Sequence, residues 1–215
     1  MENTINRLPE SPPGQVGESK NQLRSRLLAA RKSLRPDNRR SFNERLTAEA
    51  ARLVRLNQPD SVAAYSPMPD EPGGDLLVQG LLSVTSELWL PVSGSGGHLD
   101  WGRCSSVKEL RRGRFGITEP TGPRSGSVPG NTVLIFCPAL ACARNGIRLG
   151  RGAGYYDRAL ADLDHTRCTV IAVLHPWELL DTIPSESHDV PVDGVLTPEG
   201  VRFCSPTRDH GEPGR

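Results

Sequence analysis

The stretch GIRLGRGAGYYDRAL, Gly146 to Leu160, places glycine at Gly150, Gly152 and Gly154, with Arg148 and Arg151 among them and Tyr155, Tyr156 and Asp157 directly after. Residues of these types at this spacing suit an anion. Glycine lets backbone N–H groups come close to phosphate oxygens, and the N-terminus of a following helix offers unpaired donors with partial positive charge. Arginine adds forked, charge-assisted hydrogen bonds. The interval from Gly146 to Gly150 is too short for a Walker A loop, no Lys-Ser or Lys-Thr pair follows, and the alternate glycines are not GxGxxG. From the residues alone the stretch is either a different nucleotide loop or a glycine-rich turn with solvated arginines.

Such a loop needs rigid elements on both sides. It follows TVLIFCP (Thr132 to Pro138) and runs into YYDRALADL (Tyr155 to Leu163), which reads as a helix. SVAAY (Ser61 to Tyr65), ELWLP (Glu87 to Pro91), CTVIAVLH (Cys168 to His175) and DGVLT (Asp193 to Thr197) have the length and β-branched content of buried strands. Helical spacing links Leu23, Leu27, Ala30 and Leu34 behind a capping Ser19 and ahead of Pro36. It recurs in Phe42, Leu46, Ala50 and Leu53, and GDLLVQGLL (Gly74 to Leu82) is helix-like. Strands alternating with helices predict an α/β fold with a largely parallel sheet covered on both faces. The glycine loop then lies at the carboxyl end of a parallel strand, where such folds bind ligands.

Composition narrows the function classes. A chain of 215 residues, 36% hydrophobic and 24% charged, suffices for one domain with its own core. Residues 1–18 and 205–215 are rich in Pro, Gly and Ser; the first reads as a disordered tail and the second as a flexible one, leaving 19–204 as the folded unit. A net charge of +1 argues against a general nucleic-acid binder. No apolar run is long enough for a membrane span, and the polar N-terminus lacks a signal-peptide core, so a cytoplasmic protein is expected. Five cysteines without a CxxC pair and scattered histidines indicate neither a disulfide framework nor a zinc site. Trp89, Trp101, Trp177, His175 and His188 read as packing residues.

From Lys20 onward the chain resembles the 5-formyltetrahydrofolate cyclo-ligase family, also called methenyltetrahydrofolate synthetases. GIRLGRGAGYYDR looks like the family's signature loop, and KNQLR, Lys20 to Arg24, like its N-terminal Lys-x-x-x-Arg. YSPMPDE (Tyr65 to Glu71), RFGITEP (Arg114 to Pro120) and SHDVPVDGVLT (Ser187 to Thr197) follow in family order, so the likeness covers about 180 residues. The resemblance implies a three-layer α/β/α sandwich. It also implies an enzyme that uses ATP and Mg²⁺ to convert 5-formyltetrahydrofolate to 5,10-methenyltetrahydrofolate, releasing ADP and phosphate. A monomer acting on small molecules is expected, although the sequence itself does not give the oligomeric state.

By the same resemblance Lys20 and Arg24 reach the ATP phosphates from the first helix. Arg148, Leu149, Gly150, Arg151, Gly152, Ala153, Gly154, Tyr155 and Tyr156 wrap the nucleotide, with Lys20 and Arg151 acting in catalysis. Asp157 and Asp189 match the magnesium ligands, a role hard carboxylate oxygens suit. Asp157 also fits a first-turn residue favoured by a helix dipole. Ser66 and Glu71 match folate contacts, with Tyr155 also assigned to the substrate; Glu71 reads equally as an exposed turn acid. One of Tyr155 and Tyr156 stacks on substrate while the other packs in the core, and the residues do not say which. Three departures stand out: Ala153 where the family often has Gly or Lys, strained if its φ is positive; Cys142-Ala143 before the loop; and Pro-Gly-Gly after Glu71. A non-catalytic folate-binding relative and an enzyme for another substrate on the same scaffold are the competing readings.

Overall fold

The computed structural model describes residues 18–186 and 189–204. Ser187 and His188, and the expected tails apart from Glu18, lie outside the described residues. Glu18 itself belongs to the folded body, accepting a fork from Arg26 at 3.0 and 2.9 Å.

Ser19 begins α1 (Lys20–Ser33) with a capping box, its hydroxyl accepting from Gln22 N while the Gln22 side chain accepts from Ser19 N. Pro36 cannot extend that helix but suits the first turn of the next, α2 (Pro36–Asn57). The chain continues as β1 (Ser61–Ala64), α3 (Leu76–Leu82), β2 (Leu88–Ser93), β3 (Leu99–Cys104), β4 (Leu110–Arg112), β5 (Thr118–Pro120), β6 (Arg124–Ser125) and β7 (Thr132–Pro138). Then come β8 (Ala141–Ala143), β9 (Arg148–Leu149), α4 (Tyr155–Ala161), β10 (Thr169–Val173), β11 (Leu179–Leu180), β12 (Gly194–Thr197) and β13 (Gly200–Phe203).

Eight strands form the main sheet in the order β13-β12-β10-β7-β1-β2-β3-β6. The strands from β12 to β2 are parallel, and β13, β3 and β6 extend the edges antiparallel. Phe136 sits opposite both Ala64 and Ile171, which fixes the central register. Side chains alternate along each strand. Val62, Ala64, Leu134, Phe136, Ile171 and Val173 pack with Leu46 and Leu53 of α2 and Leu77 of α3. Their neighbours Ala63, Ile135, Cys137, Val170 and Ala172 pack with Leu160 of α4 on the other side. Both faces are covered, giving the α/β/α layering. Among the described residues no helix is long and apolar enough to cross a membrane.

A smaller sheet, β11-β8-β9, lies under α1. Leu23 and Leu27 pack there on Leu140, Ala141 and Leu149. The buried stripe of α1 continues through Arg31 rather than Ala30. The apolar pattern could not show this, because a buried arginine depends on a distant anion, here Glu178.

His175 lies beside that pair, stacked on Trp177 at 4.7 Å, with Phe42 against both rings. Burial, aided by the charges of Arg31 and Arg39, pulls its pKa from 6.5 down to about 3. The folded state therefore holds His175 neutral where the unfolded chain takes up a proton. Its contribution to stability is complete above about pH 6.5 and is lost as pH falls towards about 3, at ~1.4 kcal/mol per pH unit. In urea unfolding across that window, His175→Phe should fall less steeply with acid than the wild type. Parallel curves would show that His175 does not titrate this way.

Candidate functional site

Strand order reverses between β1 and β7, and the carboxyl ends of these strands open a crevice. A cavity of about 480 Å³ fills it. Tyr65, Ser66, Met68 and Glu71 contribute from the segment after β1, Pro138, Ala139 and Leu140 from that after β7, and Lys20 and Arg24 from α1. The chain from Arg148 to Asp157, together with Phe115, Glu186 and Asp189, completes the wall. All the expected site residues therefore line one cavity.

The loop does not leave β7 directly. The chain first forms the antiparallel β8–β9 pair, Cys142 opposite Arg148, so Arg148 is a strand residue buried to 4% exposure. The backbone turns left-handed at Gly152 (φ 105°) and Gly154 (φ 68°), conformations that disfavour any side chain. Ala153 lies between them without a positive φ, so the strain considered for it does not arise. Only seven residues long, α4 offers little dipole. Side-chain cations thus carry more of the site's positive charge than the sequence pattern suggested.

Each cation in the cavity has a partner. Lys20 Nζ reaches Asp189 Oδ2 at 2.8 Å and Glu186 Oε2 at 3.0 Å. Burial works against the Lys20 charge, but hydrogen bonds to Asp189 and Glu186 outweigh it and hold the ammonium above its usual range. Arg24 Nε donates to the Gly150 carbonyl at 3.0 Å. Arg148 Nη2 donates to Asp157 Oδ1 at 2.8 Å, while Arg148 Nε is buried with no hydrogen-bond partner among the described residues. Arg151 donates from Nε to Glu71 Oε1 at 3.0 Å and from Nη2 to both oxygens of Asp70 at 2.9 and 3.0 Å.

Glu71 is buried at 7% exposure, not an exposed turn acid, and its Oε2 accepts from Met68 N at 2.9 Å. The Tyr65 hydroxyl donates to the Pro72 carbonyl and Gly73 N to Asn43 Oδ1, which anchor the following turn. Ser66 Oγ pairs with Thr118 Oγ1 at 2.6 Å. The two tyrosines separate. Tyr156 packs into the core, edge-on to Trp101, with a buried hydroxyl lacking a partner among the described residues. Tyr155 is partly exposed and meets the exposed Phe115 edge-on at 6.4 Å.

Asp70, Glu186 and Phe115 were missed as site residues. Asp70 and Glu186 had a signal, since each is an acid within one or three residues of an expected ligand. Phe115 lies within RFGITEP, but nothing in its type placed it at the cavity wall. Among the described residues no three His, Cys, Asp or Glu side chains gather as a metal cluster.

Fold and cavity together define an α/β protein with a cation-rich ligand crevice at its switch point. The sequence profile of the 5-formyltetrahydrofolate cyclo-ligase family matches residues 16–198. The chain belongs to that family and is an enzyme of it. It is 39% identical over 192 residues to the 5-formyltetrahydrofolate cyclo-ligase of Mycolicibacterium smegmatis, covering 84% of this chain and 94% of that one. The Haemophilus influenzae 5-formyltetrahydrofolate cyclo-ligase is 25% identical over 182 residues, with 83% and 97% covered. The NMR structure of Aquifex aeolicus 5,10-methenyltetrahydrofolate synthetase superposes with a TM-score of 0.73 at 30% identity, covering 91% of this chain and 98% of that one. The 5,10-methenyltetrahydrofolate synthetase of Mycoplasma pneumoniae, at TM-score 0.67 and 19% identity over 85% of this chain and all (100%) of that one, shares the fold.

Proposed function

We propose that the protein closes 5-formyltetrahydrofolate to 5,10-methenyltetrahydrofolate at the expense of ATP, with Mg²⁺ bound in the same cavity. The observation that carries this reading is the convergence of Lys20, Arg148 and Arg151 with Asp157, Asp189 and Glu71 on one crevice. A formamide carbonyl is a poor electrophile. Its oxygen therefore attacks the γ-phosphorus of ATP, the bond to ADP breaks, and an iminium phosphate forms. The neighbouring folate nitrogen adds to the activated carbon and loses its proton, and inorganic phosphate leaves with the formyl oxygen.

Phosphoryl transfer asks a protein chiefly for position and charge neutralisation. Lys20 and Arg24 supply these from α1, Arg148 from β9 and Arg151 from the loop. The buried Glu71 carboxylate is suited to accept N–H groups of the pterin, and the partly exposed Tyr155 ring, which lines the cavity, is suited to the substrate. Asp157 and Asp189 fit Mg²⁺, which takes one or two carboxylates and completes its shell with phosphate oxygens and water. When bound, the ion neutralises phosphate charge. The same proposal has a monomer working in the cytoplasm on free small molecules.

The direct test follows absorbance at the methenyl-folate band with 5-formyltetrahydrofolate, ATP and Mg²⁺, omitting each in turn. A rise that needs all three supports the reading; none, from folded protein, overturns it. Asp157→Asn keeps the shape and one acceptor for Arg148 but removes the charge. It is expected to lower magnesium-dependent turnover on the order of 10²-fold with an unchanged circular dichroism spectrum. An unaltered magnesium titration would remove Asp157 from the site.

A further inference from the structure

We propose that Asp70 is a positioning residue which, with Glu71, parks Arg151 away from the phosphate site, so that nucleotide and folate each bind more tightly when the other is present. This rests on the roles given above to Arg151 and Glu71. Asp70 does not line the cavity, and its carboxylate meets the site through the Arg151 guanidinium, holding Nη2 with both oxygens at 2.9 and 3.0 Å. Glu71 holds the Nε of the same guanidinium at 3.0 Å. One arginine is thus clamped by two adjacent acids, one of which is a folate ligand.

Both proposed ligands act against that clamp. Nucleotide phosphate draws Arg151 off and leaves Glu71, buried to 7% exposure, without its cation, which is unfavourable. Folate N–H donors that take Glu71 Oε1 compete with Arg151 for it, while Oε2 stays with Met68 N. Folate alone therefore displaces the arginine with no phosphate to receive it. With both ligands present, a single displacement serves both: Arg151 goes to phosphate and Glu71 to folate. Two ligands that favour the same minor state bind with positive coupling, and linkage makes the factor equal in both directions.

Isothermal titration of the full chain measures this. Each of 5-formyltetrahydrofolate and the magnesium complex of a β,γ-imido ATP analogue is titrated alone and in the presence of the other. The wild type is expected to show mutual tightening of about 10-fold, within the range usual for allosteric coupling. Asp70→Asn loosens the clamp. It should tighten each ligand alone, folate included, and reduce the coupling below about 3-fold. A purely local charge effect at Asp70 would strengthen nucleotide binding and leave the coupling intact. Independent binding in the wild type, or undiminished coupling in Asp70→Asn, overturns the proposal while leaving the function standing. If neither ligand binds the folded wild type, the functional reading fails and the coupling with it.

Discussion

Arg31→Met is expected to lower the free energy of unfolding by about 3–5 kcal/mol, read from urea denaturation. Arg31 is 1% exposed and Glu178 fully buried, and they meet through two bonds of 2.6 and 2.9 Å. Burial works against both charges: at Arg31 the carboxylate of Glu178 outweighs it and holds the guanidinium above its usual range, whereas at Glu178 burial outweighs Arg31 and pushes the carboxyl up. The same guanidinium donates to the Ala139 carbonyl at 2.6 Å, and Glu178 Oε2 accepts from His175 N at 2.9 Å. Methionine fills much of the volume but strands a carboxylate in the core. Removing both charges, as in Arg31→Met with Glu178→Met, should restore a large part of the loss, since the stranded ion is the main penalty. A loss below about 1 kcal/mol in the single variant would mean that water reaches the pair. The pair also ties α1 to the segment after β10, and the Arg31 bond to the Ala139 carbonyl ties it to the segment leaving β7, so the helix that carries Lys20 and Arg24 is braced at its far end. Weaker nucleotide binding should accompany the instability.

The parallel core was legible in the sequence because strands buried on both faces read as continuous apolar runs. TVLIFCP became β7 without adjustment, and SVAAY, ELWLP, CTVIAVLH and DGVLT supplied the other central strands within a residue or two. The edge elements were not legible. LDWGRC of β3 contains a glycine and two charges, and the two-residue strands β6, β9 and β11 exist only because a partner lies beside them. That is why Arg148 read as part of a loop. Site residue types could be read from motif and resemblance, but their pairing could not. Arg151 meets Asp70 and Glu71 across some 80 positions, and Lys20 meets Asp189 across 169. Periodicity carries no information at such distances. The Tyr155 and Tyr156 ambiguity has a similar origin: adjacent residues on a short helix point about 100° apart, and only the packing of Trp101 against Tyr156 decides which enters the core.

Arg148→Lys is expected to reduce kcat/KM for ATP on the order of 10²–10³-fold while the protein remains folded. Arg148 Nη2 is committed to Asp157 at 2.8 Å, yet its Nε lies buried without a partner among the described residues. An unsatisfied buried N–H is unfavourable by about 1–3 kcal/mol, and a ligand oxygen that takes it removes that penalty. The Arg148 guanidinium carbon also sits 6.0 Å from the Tyr156 ring centroid, which helps to fix the plane of the fork. Lysine keeps the positive charge opposite Asp157 but replaces the fork with a single, freely rotating point of donation. If charge alone mattered, Arg148→Lys would stay within about threefold of the wild type, and Arg148→Ala would account for the whole loss. A large loss already present in Arg148→Lys, with unchanged thermal unfolding, would assign the effect to the directed donor. Arg148→Ala should behave differently again, because it also leaves the Asp157 carboxylate without its cation and so lowers stability together with activity.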